Sequence, residues 1–514
     1  MNTILLQVVS PNVNVTSVLP EIIVAVAGII VMLYDCFAPK QRVVTGAISL
    51  IGIILATISL FMLWSGNYDF SNAWNGMIVF DNLRMSFTLV MLFVSAMTIL
   101  ISTVWTDRED VPIGEYHSLL LFATVGMMLM ASGNDMVIIF LGLETLSLST
   151  YVMAGLRKSD LKSNESAMKY FILGSFASAF LLYGMALIYG ATAATNITEI
   201  AAKIGTANFP ALLLVGGAML LIGFGFKIAT VPFHVWTPDV YEGAPSPVTA
   251  FMATGSKAAA FAAALRVFVL GFPVVAGATA TNYLNGSWIS ALVLMAILTM
   301  IVGNIAAIVQ NNVKRMLAYS SIAHAGYALV GFVGAGVAKT AEARDAAITA
   351  VAFYLLTYSV TNLGAFAVVT LLGEKNDRRT DFEDYNGIGF KSPLLSFTLS
   401  LFMLSLLGLP LTAGFIGKIL VFSPAIQSGE PLLMLMVVVA VITTAISAYY
   451  YLRLIVVMFF KERITEWKEP RIPLSLATVL LITLFGVFYL GLFSDRVLDV
   501  FKQIPATVKA QIKR

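Results

Sequence analysis

Residues 223–239 read Gly-Phe-Gly-Phe-Lys-Ile-Ala-Thr-Val-Pro-Phe-His-Val-Trp-Thr-Pro-Asp. From Ile204 to Pro238 the only Asp, Glu, Lys or Arg is Lys227, so one ammonium stands in an apolar run of bilayer length, which takes roughly 20 residues. Shortly after it, Pro232 removes a backbone donor and clashes with the preceding turn, which interrupts the helix close to the charge. A span that holds a charge and then breaks points to a polytopic membrane protein with a polar path inside it.

The remainder of the chain agrees. Of 514 residues, 59% are hydrophobic and 11% charged, with a mean hydropathy of +0.89, against roughly 25% charge in soluble domains. The net charge of +3 comes without any Lys/Arg-rich block, so the partner to explain is the lipid bilayer and not a nucleic acid. Cys36 is the one cysteine, which rules out an intramolecular disulfide and any iron–sulfur cluster held by this chain alone. Three histidines leave little room for haem or metal. The first basic residue is Lys40, so the N-terminus lacks the positive start of a secretory signal, and the first apolar run is expected to stay as a span.

Counting bilayer-length windows predicts an all-α fold of about fourteen spans: 18–36, 43–64, 80–104, 117–133, 136–156, 168–191, 210–231, 247–271, 287–309, 316–337, 347–373, 393–424, 431–460 and 473–493. Sorted by side, 17 basic residues fall in loops opposite the N-terminus and nine on the N-terminal side, five of those in the C-terminal tail. Basic residues gather on the inner face, so both termini are expected on the outer, periplasmic or lumenal, side. The stretch from Met136 to Thr145 resembles that from Met316 to Ala325, placing Glu144 and His324 at one offset, and Ala167–Phe176 loosely matches Ala350–Ser359. Spans four to eight then repeat as nine to thirteen. An odd number of crossings inverts the copy, an arrangement of ion and solute transporters. The expected division is a three-helix segment at 1–116, five-helix repeats at 117–271 and 272–460, and a last helix with its tail at 461–514.

Five spans hold a buried ionisable group: Glu144, Lys227, Lys257, His324 and Lys418. Each lysine or carboxylate at mid-bilayer costs about 2.5–3.5 kcal/mol on insertion scales, which a chain needing only to fold would avoid. Pro410 and Gly414 precede Lys418 as Pro232 follows Lys227, so both predicted breaks fall in corresponding helices, the pattern expected where discontinuous helices line an ion path. Lys227 and Glu144 are expected about 6 Å apart, where a carboxylate at an effective dielectric of 20 returns roughly 2.8 kcal/mol to a desolvated ammonium. Plainer readings stand beside these. Lys227 snorkels from a helix end, Lys257 pairs structurally with Glu144, or His324 simply donates to a carbonyl. Glu21 and Asp35 are expected at the interface, His234 in the loop after Pro232, and Arg266 and Arg453 snorkelling from helix ends.

The stretches Leu19–Ile23, Asn134–Arg157, Gly223–Met252, Lys314–Tyr327 and Gly408–Ile419 together resemble the antiporter-like membrane subunits of complex I. Within these they are most similar to subunit 2 of the NAD(P)H-quinone oxidoreductases of cyanobacteria and chloroplasts. The resemblance covers nearly the whole chain and implies a 14-helix fold with proton-path roles for Glu144, Lys227, Lys257 and Lys418. It implies no cofactor in this chain, with NAD(P)H or ferredoxin, iron–sulfur clusters and quinone in partner membrane and peripheral subunits. It further implies a thylakoid membrane, plastoquinone as acceptor and lumenal termini. Subunits of multisubunit cation/proton antiporters share the fold, but the nearest of them usually carry glutamate at the position of Lys418, so the lysine favours the oxidoreductase. The mechanism expected from these residues is a relay in which Glu144 governs the proton on Lys227, which passes to Lys257, His324 and Lys418.

Overall fold

A computed structural model of the protein describes residues 13–502, apart from 39–40, 67, 69, 71–72, 110, 208, 274–278 and 464–470. The C-terminal tail whose basic residues weighed on orientation therefore lies largely outside the described residues. The spanning helices are α1 (Leu19–Phe37), α2 (Arg42–Ser65), α3 (Asn82–Arg108), α4 (Ile113–Ser132), α5 (Met136–Ala154), α6 (Leu161–Thr192) and α7 (Pro210–Ile228). Then come α8 (Ser246–Leu270), α9 (Thr279–Ile308), α10 (Val313–Gly336) and α11 (Ala341–Leu372). The twelfth span is split into α12 (Pro393–Leu407) and α13 (Ala413–Ser428), followed by α14 (Pro431–Phe460), α15 (Leu474–Leu492) and a short α16 (Ser494–Lys502). Each of the fourteen expected windows coincides with a helix or, at 393–424, with this split pair. In lipid a helix satisfies its own backbone, and hydropathy therefore reports it directly.

Helix ends are set by ordinary chemistry. Asp81, Asp135, Asp160, Asn312 and Thr340 cap α3, α5, α6, α10 and α11 by accepting backbone N–H groups. Pro210, Pro393 and Pro431 stand at the first turns of α7, α12 and α14, where no donor is lost. Both expected breaks are present. The helix α7 ends at Ile228, Ala229 turns left-handed (φ 66°), and a non-helical stretch carrying Pro232 leads to a short helix at Thr237–Gly243. In the twelfth span the chain turns at Gly408 (φ 97°) and Leu411 (φ 72°), with Pro410 between them. Gly414 differs from expectation: it is the second residue of α13, not part of the break. Its role is close approach, since a Cβ there would lie 1.8 Å from the Ser405 carbonyl oxygen of α12.

An inverted repeat is written in the backbone. Asp135, ahead of α5, bridges Asn196 after α6, and Asn312, ahead of α10, bridges Asp381 after α11. The hydrogen bonds match: Met136 N to Thr195 O (3.0 Å) and Val313 N to Thr380 O (2.7 Å), Ile197 N to Asn134 O and Phe382 N to Asn311 O (both 2.8 Å). Five crossings separate the starts of α5 and α10, so the same local fold occurs on opposite faces of the membrane. The helices α8, α10 and α11 are almost wholly buried and form the centre, whereas α6, α14 and α15 present mostly exposed outer walls.

Each face is latched by buried charge. On the N-terminal face Glu21 accepts from Arg84 (2.8 Å), and Arg266 makes a two-pronged contact with Asp81 (2.7 and 2.8 Å) while donating to Ala131 O (2.7 Å). Glu21 and Arg266, expected at the interface and snorkelling, are instead sealed in, because partners on other helices satisfy them. Arg453 likewise caps the end of α9 by donating to Ile308 O and Gln310 O. On the opposite face Asp377 receives Arg108 (3.2 Å), Arg157 (3.3 Å), Lys314 (3.2 Å) and both the N–H and hydroxyl of Ser246 at the start of α8 (3.0 Å each).

Burial alone would raise the Asp377 carboxyl, but Lys314, Arg157 and Arg108 outweigh it and hold it down to about 2. Because the folded value lies below the ordinary carboxylate range, its contribution is complete above about pH 4 and fades as pH falls towards 2. Asp377→Asn leaves three cations facing one another and should destabilise the detergent-solubilised protein by about 3–5 kcal/mol at neutral pH. The deficit, read as the shift in thermal midpoint, should shrink on acidification below pH 4; a deficit that grows there would refute the assignment.

Candidate functional site: a line of lysines, tyrosines and a histidine

Lys227 lies in the last turn of α7, 4% exposed. Its Nζ donates to Ser147 Oγ of α5 (2.9 Å) and Tyr170 OH of α6 (3.2 Å), and it lies 5.5 Å from the Tyr170 ring centre. The helix end favours a cation because its last carbonyls point outward. Trp236, from the non-helical stretch, stacks on Tyr170 and donates to Phe226 O (3.0 Å), which covers the opened backbone. Snorkelling is thereby excluded: the ammonium points into hydroxyls, not towards an interface.

Glu144 and Lys227, expected about 6 Å apart, are not in direct contact. Among the described residues Glu144 makes no ion pair, and its Oε1 accepts from Ser178 Oγ of α6 at 2.5 Å. A void of about 10 Å³, space for about one water, is lined by Lys227, Ser147 and Ser178, the serine that donates to Glu144. The carboxylate is half-buried, on the α5 face that also carries the exposed Leu141, Leu148 and Val152. The sequence showed the charges but not the two serines, which are inconspicuous in an apolar run.

Lys257 follows a π-helical turn at Met252–Ser256, a distortion of α8 of the kind frequent at functional positions. It is 2% exposed and donates to Ser321 O and Oγ of α10 (2.7 Å each). It has no carboxylate within 4 Å among the described residues, so the structural pairing with Glu144 does not occur. One turn along α10, His324 has both ring nitrogens engaged: Nδ1 with Tyr354 OH (2.7 Å) and Nε2 with Tyr451 OH (3.2 Å). Tyr451 in turn meets Ser320 Oγ (2.5 Å). The reading in which His324 donates only to a carbonyl fails on these contacts.

Lys418 reaches back across the break and donates to Leu406 O (3.0 Å) and Leu407 O (2.8 Å), the last carbonyls of α12. The Tyr327 ring lies 5.2 Å from its ammonium and 5.5 Å from the His324 ring. The Tyr327 hydroxyl joins Asn304, which accepts from Tyr450 (3.0 Å). The structure thus brings His324 and Lys418 together around Tyr327, with Lys257 bonded to Ser321 one turn away on α10, and sets Lys227 beside Ser147 and Tyr170. The connecting tyrosines were not predicted. A usable signal was the tyrosines of two spans, Tyr354 and Tyr358 four apart in the buried α11 and the Tyr450–Tyr451 pair in α14.

The arrangement is a set of buried titratable groups, each bonded to neutral hydroxyl or carbonyl oxygens in the middle of the spans. Among the described residues no cluster of His, Cys, Asp and Glu could hold a metal. The family described as NADH:quinone oxidoreductase/Mrp antiporter, transmembrane, matches residues 133–444. Over 423 residues the chain is 45% identical to NADH-quinone oxidoreductase subunit N of Trichlorobacter lovleyi, covering 81% of this chain and 82% of that one. The chain belongs to the subunit N family. A chain of respiratory complex I from Thermus thermophilus superposes with a TM-score of 0.76 at 37% identity, over 93% of this chain and 98% of that one. A chain of the Mrp complex from Dietzia superposes with a TM-score of 0.79 at 19% identity, over 95% and 96%, which shows a shared fold alone. Subunit N is a multi-pass membrane subunit, so its partners are the other subunits of the oxidoreductase and the bilayer.

The break in the twelfth span can be tested through its glycines. Gly414→Ala must push α13 off Ser405 and should cost several kcal/mol, roughly 3 or more, by overpacking. Gly429→Ala (φ 68°) meets nothing within 4 Å and should cost only the left-handed strain of about 1–2 kcal/mol. Thermal midpoints of the two variants compare them directly; equal losses would show that α12 and α13 are free to part.

Proposed function

We propose that protons cross this subunit of a proton-translocating NADH-quinone oxidoreductase along Glu144, Lys227, Lys257, His324 and Lys418. The observation that carries the reading is that three buried lysines hold no carboxylate within 4 Å among the described residues and bond instead to neutral oxygens. A scaffold would pair them, because an ion pair broken in the interior costs about 3–5 kcal/mol. Neutral partners keep each ammonium in place yet let it lose a proton without stranding an opposite charge. Glu144, half-open on the outer wall of α5, is where a charge change in a neighbouring subunit is felt, and Ser178 and Ser147 carry its effect to Lys227.

In this proposal the chain moves protons only. With one cysteine it supplies no iron–sulfur cluster, and NADH, the clusters and quinone belong to partner subunits. NADH as donor follows the names of its bacterial relatives. The cyanobacterial resemblance would favour instead a thylakoid membrane, plastoquinone and lumenal termini, and turnover with plastoquinone against other quinones separates the two settings. The cation/proton antiporter reading rests on fold alone, and co-purification with peripheral iron–sulfur subunits would decide against it.

Lys418 offers the sharpest test. Lys418→Gln keeps a donor for the α12 carbonyls but carries no charge, and Lys418→Arg keeps the charge but cannot deprotonate. Both variants should assemble into the complex, and both should lose most quinone-coupled proton pumping in reconstituted vesicles. Rescue by arginine would reduce Lys418 to a fixed charge. Glu144→Gln should also assemble and pump slowly; unchanged pumping would remove Glu144 from the path.

A further inference from the structure

Between Lys257 and His324 the chain of contacts stops at one atom. Lys257 donates to Ser321, while both nitrogens of His324 are taken by Tyr354 and Tyr451. The side chain that spans the interval is Tyr358 of α11. It lies four residues from Tyr354, its ring centre is 4.9 Å from that of His324, and its hydroxyl faces the Ser321 hydroxyl, as does that of Tyr241. Tyr358 is 4% exposed, and its buried hydroxyl closes no hydrogen bond of normal geometry.

A buried hydroxyl without a partner costs about 1–3 kcal/mol, and a phenylalanine of the same outline would remove that cost. With only a loose approach to Ser321, the oxygen adds little to stability, and it lies between a donor–acceptor pair at Lys257–Ser321 and another at His324–Tyr354. We propose that Tyr358 is a relay residue that links the lysine of α8 to the histidine of α10, an inference that rests on the proton path proposed above.

In one transfer an Nζ–H bond of Lys257 breaks as Ser321 Oγ takes the proton, and Ser321 gives its own hydroxyl proton to Tyr358. Tyr358 releases its original proton to one bridging water, which passes a proton to Tyr354 as Tyr354 protonates Nδ1 of His324. Every oxygen ends with the protons it began with, Lys257 ends neutral and His324 ends as a cation. No electrons change hands. Discharge follows on the other side of the ring, from Nε2 to Tyr451 and Ser320. The hydroxyls must then rotate back and the imidazole return to its Nε2–H tautomer before a second proton moves, and the Tyr358 hydroxyl, only loosely bonded, is suited to the turning step.

The test uses the whole oxidoreductase complex in proteoliposomes with NADH and quinone, comparing Tyr358→Phe, Ser321→Ala, their double variant and His324→Ala. Tyr358→Phe should assemble with an unchanged or slightly raised thermal midpoint. Its proton pumping should fall roughly tenfold or more, the low end of what a positioned proton-transfer group contributes. Its solvent deuterium isotope effect should rise as the interrupted transfer becomes limiting, which a packing role would not produce. The double variant should be no slower than the worse single one, as for two links in series. Failure of Tyr358→Phe to assemble would show a structural hydroxyl and overturn the proposal. So would wild-type pumping by Tyr358→Phe; if His324→Ala is then still defective the wider path stands, whereas normal pumping by both removes the path as well.

Discussion

The structure turns on how an ammonium is kept in the middle of a membrane without a counter-ion. Each such group costs about 2.5–3.5 kcal/mol to insert, and a hydrogen bond to a charged group returns about 1.5–3. Two neutral oxygens per lysine are therefore enough to offset insertion and leave little surplus. Lys227, Lys257 and Lys418 each have two such oxygens. A carboxylate in direct contact would have held the proton more firmly, and a bare apolar pocket would have expelled the lysine. The intermediate case is the one from which a proton can be both kept and released.

This requirement explains the broken helices. A carbonyl inside an intact helix already accepts one bond, as Ser321 O does while also receiving Lys257, whereas a helix end offers carbonyls with no intrahelical partner at mid-membrane. Lys418 uses the end of α12 in this way, and the left-handed Gly408 lets the chain turn off without blocking it. Lys227 occupies the last turn of α7 but takes its bonds from Ser147 and Tyr170, while Trp236 and Thr230 satisfy the freed carbonyls of Phe226 and Gly225. The two repeats thus place a lysine at each break and satisfy it by different local means.

What the sequence disclosed follows the same physics. Spans were legible because lipid excludes unsatisfied backbone, and the five charges because each stands alone in an apolar run. Pro232 and Pro410 marked the breaks, whereas Gly414 misled: a glycine before a charge reads as a hinge, yet this one is there so that two helices can touch. Tyrosines and serines were not legible as a path. Their hydropathy suits a core, an interface or a channel equally, and only the packing of α5, α6, α10, α11 and α14 decides which hydroxyls meet. Glu21 and Arg266 were misplaced for a related reason, since residues 63 and 185 positions away supply their partners.

The buried latches show how the protein holds together although the lysines at its centre are loosely bonded. On one face Asp377 gathers Arg108, Arg157 and Lys314 and caps α8; on the other, Asp81 and Glu21 hold Arg266 and Arg84. The central helix α8 is thus fixed at both ends, by its Ser246 N–H and by Arg266, with Lys257 midway and a π-helical turn on either side of the Lys257–Ala264 segment. Rigid ends thus flank a distorted middle that carries the lysine. Strong, fully paired charges belong to the two faces, and weakly held, singly charged groups to the centre, so the same residue types do opposite work according to whether a carboxylate lies beside them.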